Sequence, residues 1–230
     1  MDPDQLEKLV EEHPVWALEE SAEVLSPAQF DLCIRREPWY ALYFWGASEK
    51  MSPEQFDFCC RLYPSSALMC GRKLNPEQIE FCCEEDPKLA LKLHCWGDPI
   101  FHLTKAQFVT CCVKAPAEAL ECGAALMDEA VFEGCVRAAP AAALKYVPSQ
   151  MDKNLFRECA EAEPWVAVTW CADRLTDDEL VRHTAGCGEA VRTLLEFEPA
   201  HSLKFKLGAL IGRLDPDLET VVALAIAPGI

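Results

Sequence analysis

Adjacent cysteine pairs are the residues of this chain most suited to chemistry. The segments "MSPEQFDFCC" (Met51 to Cys60) and "LNPEQIEFCC" (Leu74 to Cys83) both end in such a pair. Cysteine thiolates bind metals, act as nucleophiles and form disulfides. Three kinds of site would therefore explain the pairs: a zinc or iron–sulfur centre, a redox centre, or disulfide bridges.

The spacing of the cysteines argues against all three. Structural zinc sites draw their ligands from closely spaced pairs such as C-x₂-C, and the chain has no C-x-x-C among its 14 cysteines. Equivalent positions on packed helices lie about 8–10 Å apart, beyond the reach of about 7 Å between bridged Cα atoms. The segment "HCWGDPIFH" offers one weak metal candidate, formed by His94, Cys95 and His102. The sequence therefore predicts no metal and no cofactor.

Motifs for catalysis are also missing from the sequence. A nucleophile elbow, a phosphate-binding loop, a dinucleotide-binding glycine pattern, an H-E-x-x-H helix and an EF-hand loop are all absent. The five histidines are scattered along the chain. We therefore predict no catalytic residue and a protein that is not an enzyme.

A repeat explains where the cysteines stand. Copies of one motif start at residues 1, 25, 51, 74, 103, 126 and 151, at intervals of 23 to 29 residues. The second position holds a residue whose side chain can cap a helix, four copies follow it with proline, and a proline near position 14 predicts the end of that helix. The ninth and tenth positions hold cysteine in most copies but Leu9, Val10 or Ala160 in others. This alternation favours cysteine as a compact apolar core residue.

Each copy is predicted to form a helix of about ten residues followed by a shorter "PxxAL" helix. Such a unit cannot bury its apolar face alone, so copies must stack. We predict an all-α protein, an α-solenoid of seven to nine helix-turn-helix repeats within one continuous domain. Residues 1–174 hold seven repeats, and residues 175–230 hold degenerate repeats and a C-terminal cap. The apolar segment from Val221 to Ile226 either packs under the last repeat or forms a self-association edge, and packing is favoured.

The repeat resembles two families of short helical repeats. The first is the leucine-rich variant repeats, about 24 residues long. The second is an uncharacterised bacterial and viral family with an A-L-x-Y-A rhythm, to which "LMDEAVFEGCVRAAPAAALKYV" (Leu126 to Val147) is most similar. The resemblance covers residues 1 to about 200 and implies the fold more than a function. The leucine-rich variant family can carry an iron–sulfur cluster on N-terminal cysteines, but residues 1–32 contain none.

The charge of the chain restricts its partners. The net charge is −17, and residues 1–102 carry 19 acidic against 9 basic residues. Such a surface is repelled by nucleic acid and by anionic membranes, and it attracts basic proteins. The start of the chain lacks the pattern of a signal peptide, and no apolar run reaches the roughly 18–20 residues that span a bilayer. We therefore expect a cytoplasmic protein with a basic protein partner.

The segment "EPWYALYFWG" contains more aromatic residues than the repeat needs. One interpretation is an enlarged local core, and the other is an aromatic binding patch with acidic residues around it, since Trp and Tyr dominate interface hot spots. The predicted partner-binding residues are Trp39, Tyr40, Tyr43, Trp45, Glu54, Asp57, Glu77, Glu80, Glu84, Glu85 and Asp86.

These observations predict a non-enzymatic, acidic repeat scaffold that binds another protein. A narrower hypothesis is a viral inhibitor that mimics nucleic-acid charge and blocks a basic groove, as phage counter-defence proteins do. The alternative is a metal- or iron–sulfur-binding redox repeat protein that uses the cysteines.

Overall fold

The all-α prediction is confirmed in the part of the chain that the structure covers. A computed structural model describes residues 2–185, 188–197 and 201–226. Within these ranges every regular element is helical, with nineteen α-helices and three one-turn 3₁₀ segments. None of these helices combines the length and the apolar character needed to cross a membrane.

The helices fall into two compact units, Met1–Gly123 and Ala124–Ile230. The first unit contains α1 (Pro3–Glu12), α2 (Pro14–Ser21), α3 (Pro27–Arg36), α4 (Pro38–Tyr43), α5 (Trp45–Ser48), α6 (Pro53–Leu62), α7 (Pro64–Met69), α8 (Pro76–Glu85), α9 (Pro87–Cys95), α10 (Lys105–Lys114) and α11 (Pro116–Cys122). The second contains α12 (Glu129–Ala138), α13 (Pro140–Tyr146), α14 (Lys153–Ala162), α15 (Pro164–Cys171), α16 (Asp177–Thr184), α17 (Gly188–Phe197), α18 (His201–Ala209) and α19 (Pro216–Ile226).

Each of the seven ten-residue helices from α1 to α14, and the eight-residue helix α16, begins at a side-chain cap. In α6, for example, the Ser52 Oγ accepts a hydrogen bond from the Gln55 backbone N–H at 3.2 Å, and the Gln55 Oε1 accepts one from the Ser52 N–H at 2.9 Å. This reciprocal capping box satisfies two donors that a helix start otherwise leaves unpaired. The capping residues in chain order are Asp2, Ser26, Ser52, Asn75, Thr104, Asp128, Asp152 and Thr176.

The cap of α12 falls one residue later than the alignment from Leu126 places it. Asp128 caps the helix through a bond from the Val131 N–H at 3.1 Å. In the other copies, the first large apolar residue donates its N–H to the carbonyl of the capping residue, as Phe56 does to Ser52. In α12 this residue is Phe132, which donates to Asp128, and not Val131. With this register Pro140 follows α12 at the same interval as the prolines of the other copies.

A single corner residue joins the long and the short helix of each copy. Its φ lies between −139° and −131° and its ψ between 59° and 69° in all seven copies. Its N–H donates to the carbonyl four residues earlier at 2.8–2.9 Å. The proline that follows lacks an N–H and fixes its own φ, so it begins the short helix without losing a hydrogen bond. The corner residues are His13, Glu37, Tyr63, Asp86, Ala115, Ala139 and Glu163.

In the unit Met1–Gly123 the long helices contact one another in succession, and so do the short helices. The long helices α1, α3, α6, α8 and α10 form one such series, and the short helices α2, α4, α7, α9 and α11 form the other. The Ala-Leu pair of each short helix packs into the core, with Ala41, Leu42, Ala90 and Leu91 all 0% exposed. The small alanine lets helices approach closely while the leucine fills the space between them.

In the unit Ala124–Ile230, α12 contacts α14 and α13 contacts α15, as in the first unit. Towards the end of the chain, α19 packs against α17 and α18. Its residues Leu218 and Val222 are 0% exposed, whereas Leu224 is 74% exposed. The predicted packing of the apolar segment is thus present for part of α19, and self-association through the rest stays a prediction.

Candidate functional site

Aromatic rings on and directly after α4 form a partly exposed cluster. The Trp39 and Tyr40 rings meet edge to face with centroids 5.4 Å apart, and Tyr40 stacks on Phe44 at 6.2 Å. Tyr43 ends the helix and lies close enough to Tyr40 to contribute to the shift of its pKa. We call Trp39, Tyr40, Tyr43 and Phe44 the α4 aromatic cluster.

The helix α4 divides its side chains between the core and the surface. Ala41 and Leu42 are 0% exposed, while Trp39 is 43% and Tyr43 75% exposed. The core position that the repeat requires is therefore filled by the Ala-Leu pair, and the exposed aromatics are additional to it. The side chain of Trp45, the fourth predicted aromatic, lies outside the described part of the structure.

Two carboxylates hold the polar atoms of this cluster. The Trp39 indole N–H donates to Glu37 Oε2 at 3.1 Å. The Tyr40 hydroxyl donates to Glu19 Oε1, which joins α4 to the neighbouring helix α2. Burial and the Glu19 carboxylate together raise the pKa of Tyr40 to about 12, so this hydroxyl stays protonated and keeps its donor role at neutral pH. Each carboxylate uses one oxygen in the bond described.

The predicted acidic residues lie elsewhere, on and next to the long helices α6 and α8. In the described part of the chain none of them forms a hydrogen bond or ion pair with the α4 aromatic cluster. Sequence reasoning missed Glu19 and Glu37, the carboxylates that do. The predicted acidic residues that form no described bond with the α4 aromatic cluster are Glu54, Asp57, Glu77, Glu80, Glu84, Glu85 and Asp86.

Several of these predicted acids are already engaged within the protein. Asp57 forms an ion pair with Arg61 at 2.8 Å, and Glu84 lies 3.8 Å from Lys114. Asp86 accepts a hydrogen bond from the Ser65 hydroxyl at 2.7 Å and caps α9. Three of the predicted acidic side chains are exposed and have no described ion pair or hydrogen bond, namely Glu77, Glu80 and Glu85. The negative surface of α6 and α8 is therefore partly neutralised from within.

A groove of about 520 Å³ lies along α6 and the start of α8, and its charges are mixed. Acidic Glu54, Asp57 and Glu77 line it together with three cationic side chains. One of the cations, Arg72, stacks over the Phe56 ring at 4.3 Å and donates to the Ser48 carbonyl at 2.6 Å. Since this guanidinium is used in packing, the groove offers neither a strongly negative nor a strongly positive site.

The cysteines behave as core residues. All thirteen described cysteines are unbridged, and eleven are buried. Burial raises the pKa of Cys33 to about 11 and that of Cys59 to about 12. The thiolate is the reactive and metal-binding form, so these side chains are inert at neutral pH while the protein is folded.

The weak metal candidate is spread over separate contacts. The His94 Nδ1 accepts a hydrogen bond from the Leu103 N–H at 3.2 Å, and the rings of His94 and His102 lie 6.5 Å apart. The Cys95 thiol is instead within hydrogen-bonding reach of Cys122. Across residues 2–185, 188–197 and 201–226, no three His, Cys, Asp or Glu side chains converge as metal ligands would.

Selective labelling should distinguish core cysteines from reactive ones. With N-ethylmaleimide at neutral pH we expect half-buried Cys95 and Cys122 to react at least about tenfold faster than Cys59 and Cys60. The pKa of Cys95 and that of Cys59 are both raised to about 12, so the expected difference comes from access of the reagent to the sulfur. Digestion and mass spectrometry give the rate at each site, and protein in concentrated urea supplies the fully reactive control. Equal rates at Cys59 and Cys95 in the folded protein would contradict the assignment of Cys59 to the core.

Comparison of the chain with protein-family models, with curated proteins and with solved structures finds no match. The functional argument therefore starts from the α4 aromatic cluster and its carboxylates.

Proposed function

We propose that this protein is a non-enzymatic α-solenoid scaffold that binds a basic protein through the short helices of Met1–Gly123. The observation that carries the proposal is the α4 aromatic cluster, with Trp39 and Tyr43 exposed and with carboxylates at its edge. Tryptophan and tyrosine present large, rigid areas that dominate protein interfaces energetically. Exposed apolar side chains that adjoin one another often mark protein interaction sites.

The repeated local geometry supports the solenoid. Every copy has a side-chain cap at the start of its long helix, a corner residue in one backbone conformation and the same backbone hydrogen bond across that corner. In Met1–Gly123 the long and the short helices contact their neighbours in two series. Units joined in this way each meet only their neighbours, as the repeats of solenoid proteins do. The short helices then provide one continuous surface on which a partner segment can lie.

The described chemistry favours binding over the redox alternative. A redox or cluster-binding site needs accessible thiolates, whereas burial raises the pKa of Cys82 to about 12 and that of Cys171 to about 11. A hydrogen bond with Cys83 lowers the pKa of Cys111, but this side chain is 0% exposed. The proposal therefore gives the cysteines a packing role and places the function on the surface.

The nucleic-acid mimic is a narrower form of the same proposal. It requires the partner to be a nucleic-acid-binding protein whose groove accepts the acidic surface. Competition provides the test: once a partner is isolated, duplex DNA should displace it from this protein. A complex that excess DNA leaves intact would rule out mimicry and leave the binding proposal standing.

Photo-crosslinking tests the binding proposal directly. Benzoylphenylalanine in place of Tyr43 should give an adduct with a protein from an extract of the source organism, and excess unlabelled protein should suppress that adduct. The matched control carries the same probe in place of Thr110, which is exposed on the long helix α10 of the same unit. An adduct from position 110 but not 43 would contradict the assigned face, and no adduct at either position would contradict protein binding.

A further inference from the structure

The unit Ala124–Ile230 contains an example of how its short helices hold a cation. The Lys145 Nζ on α13 lies 4.7 Å from the centroid of the Tyr146 ring and 5.5 Å from that of Trp170 on α15. It also lies 3.0 Å from the Tyr146 hydroxyl oxygen. An ammonium group over aromatic faces is attracted by their quadrupoles. Aromatic rings at the ends of neighbouring short helices can thus form a lysine site in this fold.

The α4 aromatic cluster lies on the equivalent short helix of its own repeat, with Tyr43 in the place of Lys145 and Phe44 in the place of Tyr146. Lys145 follows the pair Ala143–Leu144, and Tyr43 follows the pair Ala41–Leu42 in the same way. In the described residues of Met1–Gly123, cation–π contacts involve the rings of Phe56, Phe58 and Phe81. None of these rings belongs to the α4 aromatic cluster.

Carboxylates lie next to the cluster, and the cation that precedes Glu37 in the chain, Arg36, donates to the Glu11 carbonyl at 2.6 Å. Glu37 and Glu19 hold Trp39 and Tyr40 through one oxygen each, and Glu20 and Glu23 follow Glu19 on and after α2. Lys50, a nearby cation in the sequence, lies 3.8 Å from Glu23. Carboxylates next to exposed aromatic faces complement a positively charged side chain and would repel a negative one.

We propose that the α4 aromatic cluster binds a lysine or arginine side chain from a basic segment of the partner protein. The cation lies against the faces of Trp39 and Tyr43, and the carboxylates of Glu19 and Glu37 balance its charge. This inference rests on the proposed function and specifies the chemical group that the binding surface receives. We assign the occupant as a basic protein segment, since the carboxylates of Glu19 and Glu37 repel nucleic acid and anionic lipid.

A peptide titration of the full-length chain tests the inference. The probe is a synthetic peptide of alternating glycine, lysine and arginine, and its matched control carries acetyl-lysine and citrulline instead. With ¹⁵N-labelled tryptophan, we expect the basic peptide to shift the Trp39 indole resonance in a salt-dependent manner, and the neutral peptide to leave it in place. The indole of Trp96, which is 71% exposed in the same unit, serves as the internal reference.

Three variants distinguish binding at the cation site from nonspecific binding of the basic peptide. Trp39→Leu keeps an apolar side chain but removes the ring, and should weaken binding of the basic peptide roughly 3- to 30-fold. Glu37→Gln preserves shape but removes charge, and should weaken binding and reduce its salt dependence. Trp96→Leu should change binding less than about twofold. Circular dichroism confirms that each variant is folded.

The outcomes are distinguishable from those of the proposed function. Equal binding of the basic and neutral peptides, or unchanged affinity in both Trp39→Leu and Glu37→Gln, would overturn the cation site. If the photo-crosslink at position 43 forms nonetheless, the protein-binding surface stands and its occupant is not a lysine or arginine side chain. If the crosslink also fails, both proposals fall together.

Discussion

Raising the pH from about 8 to about 11 should unfold this protein cooperatively, because its buried thiols resist ionisation. Burial raises the pKa of Cys33 and Cys171 to about 11, and that of Cys59 and Cys82 to about 12. In the unfolded chain a cysteine titrates near pH 8.5. The unfolded state therefore loses protons in a range where the folded state keeps them.

The sign of this effect follows from proton linkage. Between about pH 9 and pH 11 the folded protein binds more protons than the unfolded chain, so the free energy of unfolding falls as the pH rises. Each such thiol lowers it by about 1.4 kcal/mol per pH unit, and four together by about 5 kcal/mol per unit. Below about pH 8.5 the thiols are protonated in both states, so their full contribution to the free energy of unfolding is present. Domains typically have a free energy of unfolding of only about 5–15 kcal/mol. A rise of roughly two pH units therefore reduces it to about zero.

Urea unfolding followed by circular dichroism at a series of pH values gives the slope of the unfolding free energy. The matched variant is Cys33→Ala with Cys59→Ala, which removes two of these thiols and should remove about half of the four-thiol slope. The same double variant loses some packing at every pH, so the slope and not the absolute stability is the test. An unchanged slope would show that other groups cause the alkaline unfolding.

Replacing Leu91 by alanine should lower the free energy of unfolding by about 2–5 kcal/mol. Leu91 belongs to the Ala-Leu pair of α9 and is 0% exposed. Truncation loses the transfer free energy of the buried methyl groups and leaves a cavity that neighbouring helices fill only in part. A loss of this size is a large fraction of the stability of one domain.

The chain provides a matched control in Leu62→Ala. Leu62 ends the long helix α6 and is 52% exposed, so its truncation should change the free energy of unfolding by less than about 0.5 kcal/mol. Thermal and urea unfolding of both variants measure the difference. Similar losses for the two substitutions would contradict the assignment of the Ala-Leu pair to the core.

Local signals in the sequence predicted the helix boundaries well. A capping residue before proline, as in Ser52-Pro53, and a second proline such as Pro64 specify where a helix starts and stops through their own backbone chemistry. No distant contact is needed for this. One local signal was missed, namely the capping-box pattern. Glutamines at the third helical position, such as Gln55, form it together with the capping residue.

The proposed binding surface was harder to predict because it depends on distant residues. Trp39 and Tyr43 could be named from the sequence, whereas Glu19 reaches Tyr40 only because α2 and α4 pack together. The pairing of Asp57 with Arg61 follows the i, i+4 spacing of a helix and was predictable. Acidic residues counted by composition alone therefore overstate the charge left for a partner.

The corner between long and short helices has a consequence for the evolution of this chain. Seven corners share one backbone conformation while their side chains range from alanine to glutamate and tyrosine, because a backbone hydrogen bond and the next proline maintain the turn. Substitutions should therefore cost little in folding at corners that are neither buried, as Ala115 is, nor used as a helix cap, as Asp86 is. Selection for a new partner can act on these positions, including Glu37 beside Trp39, without first compensating for lost stability.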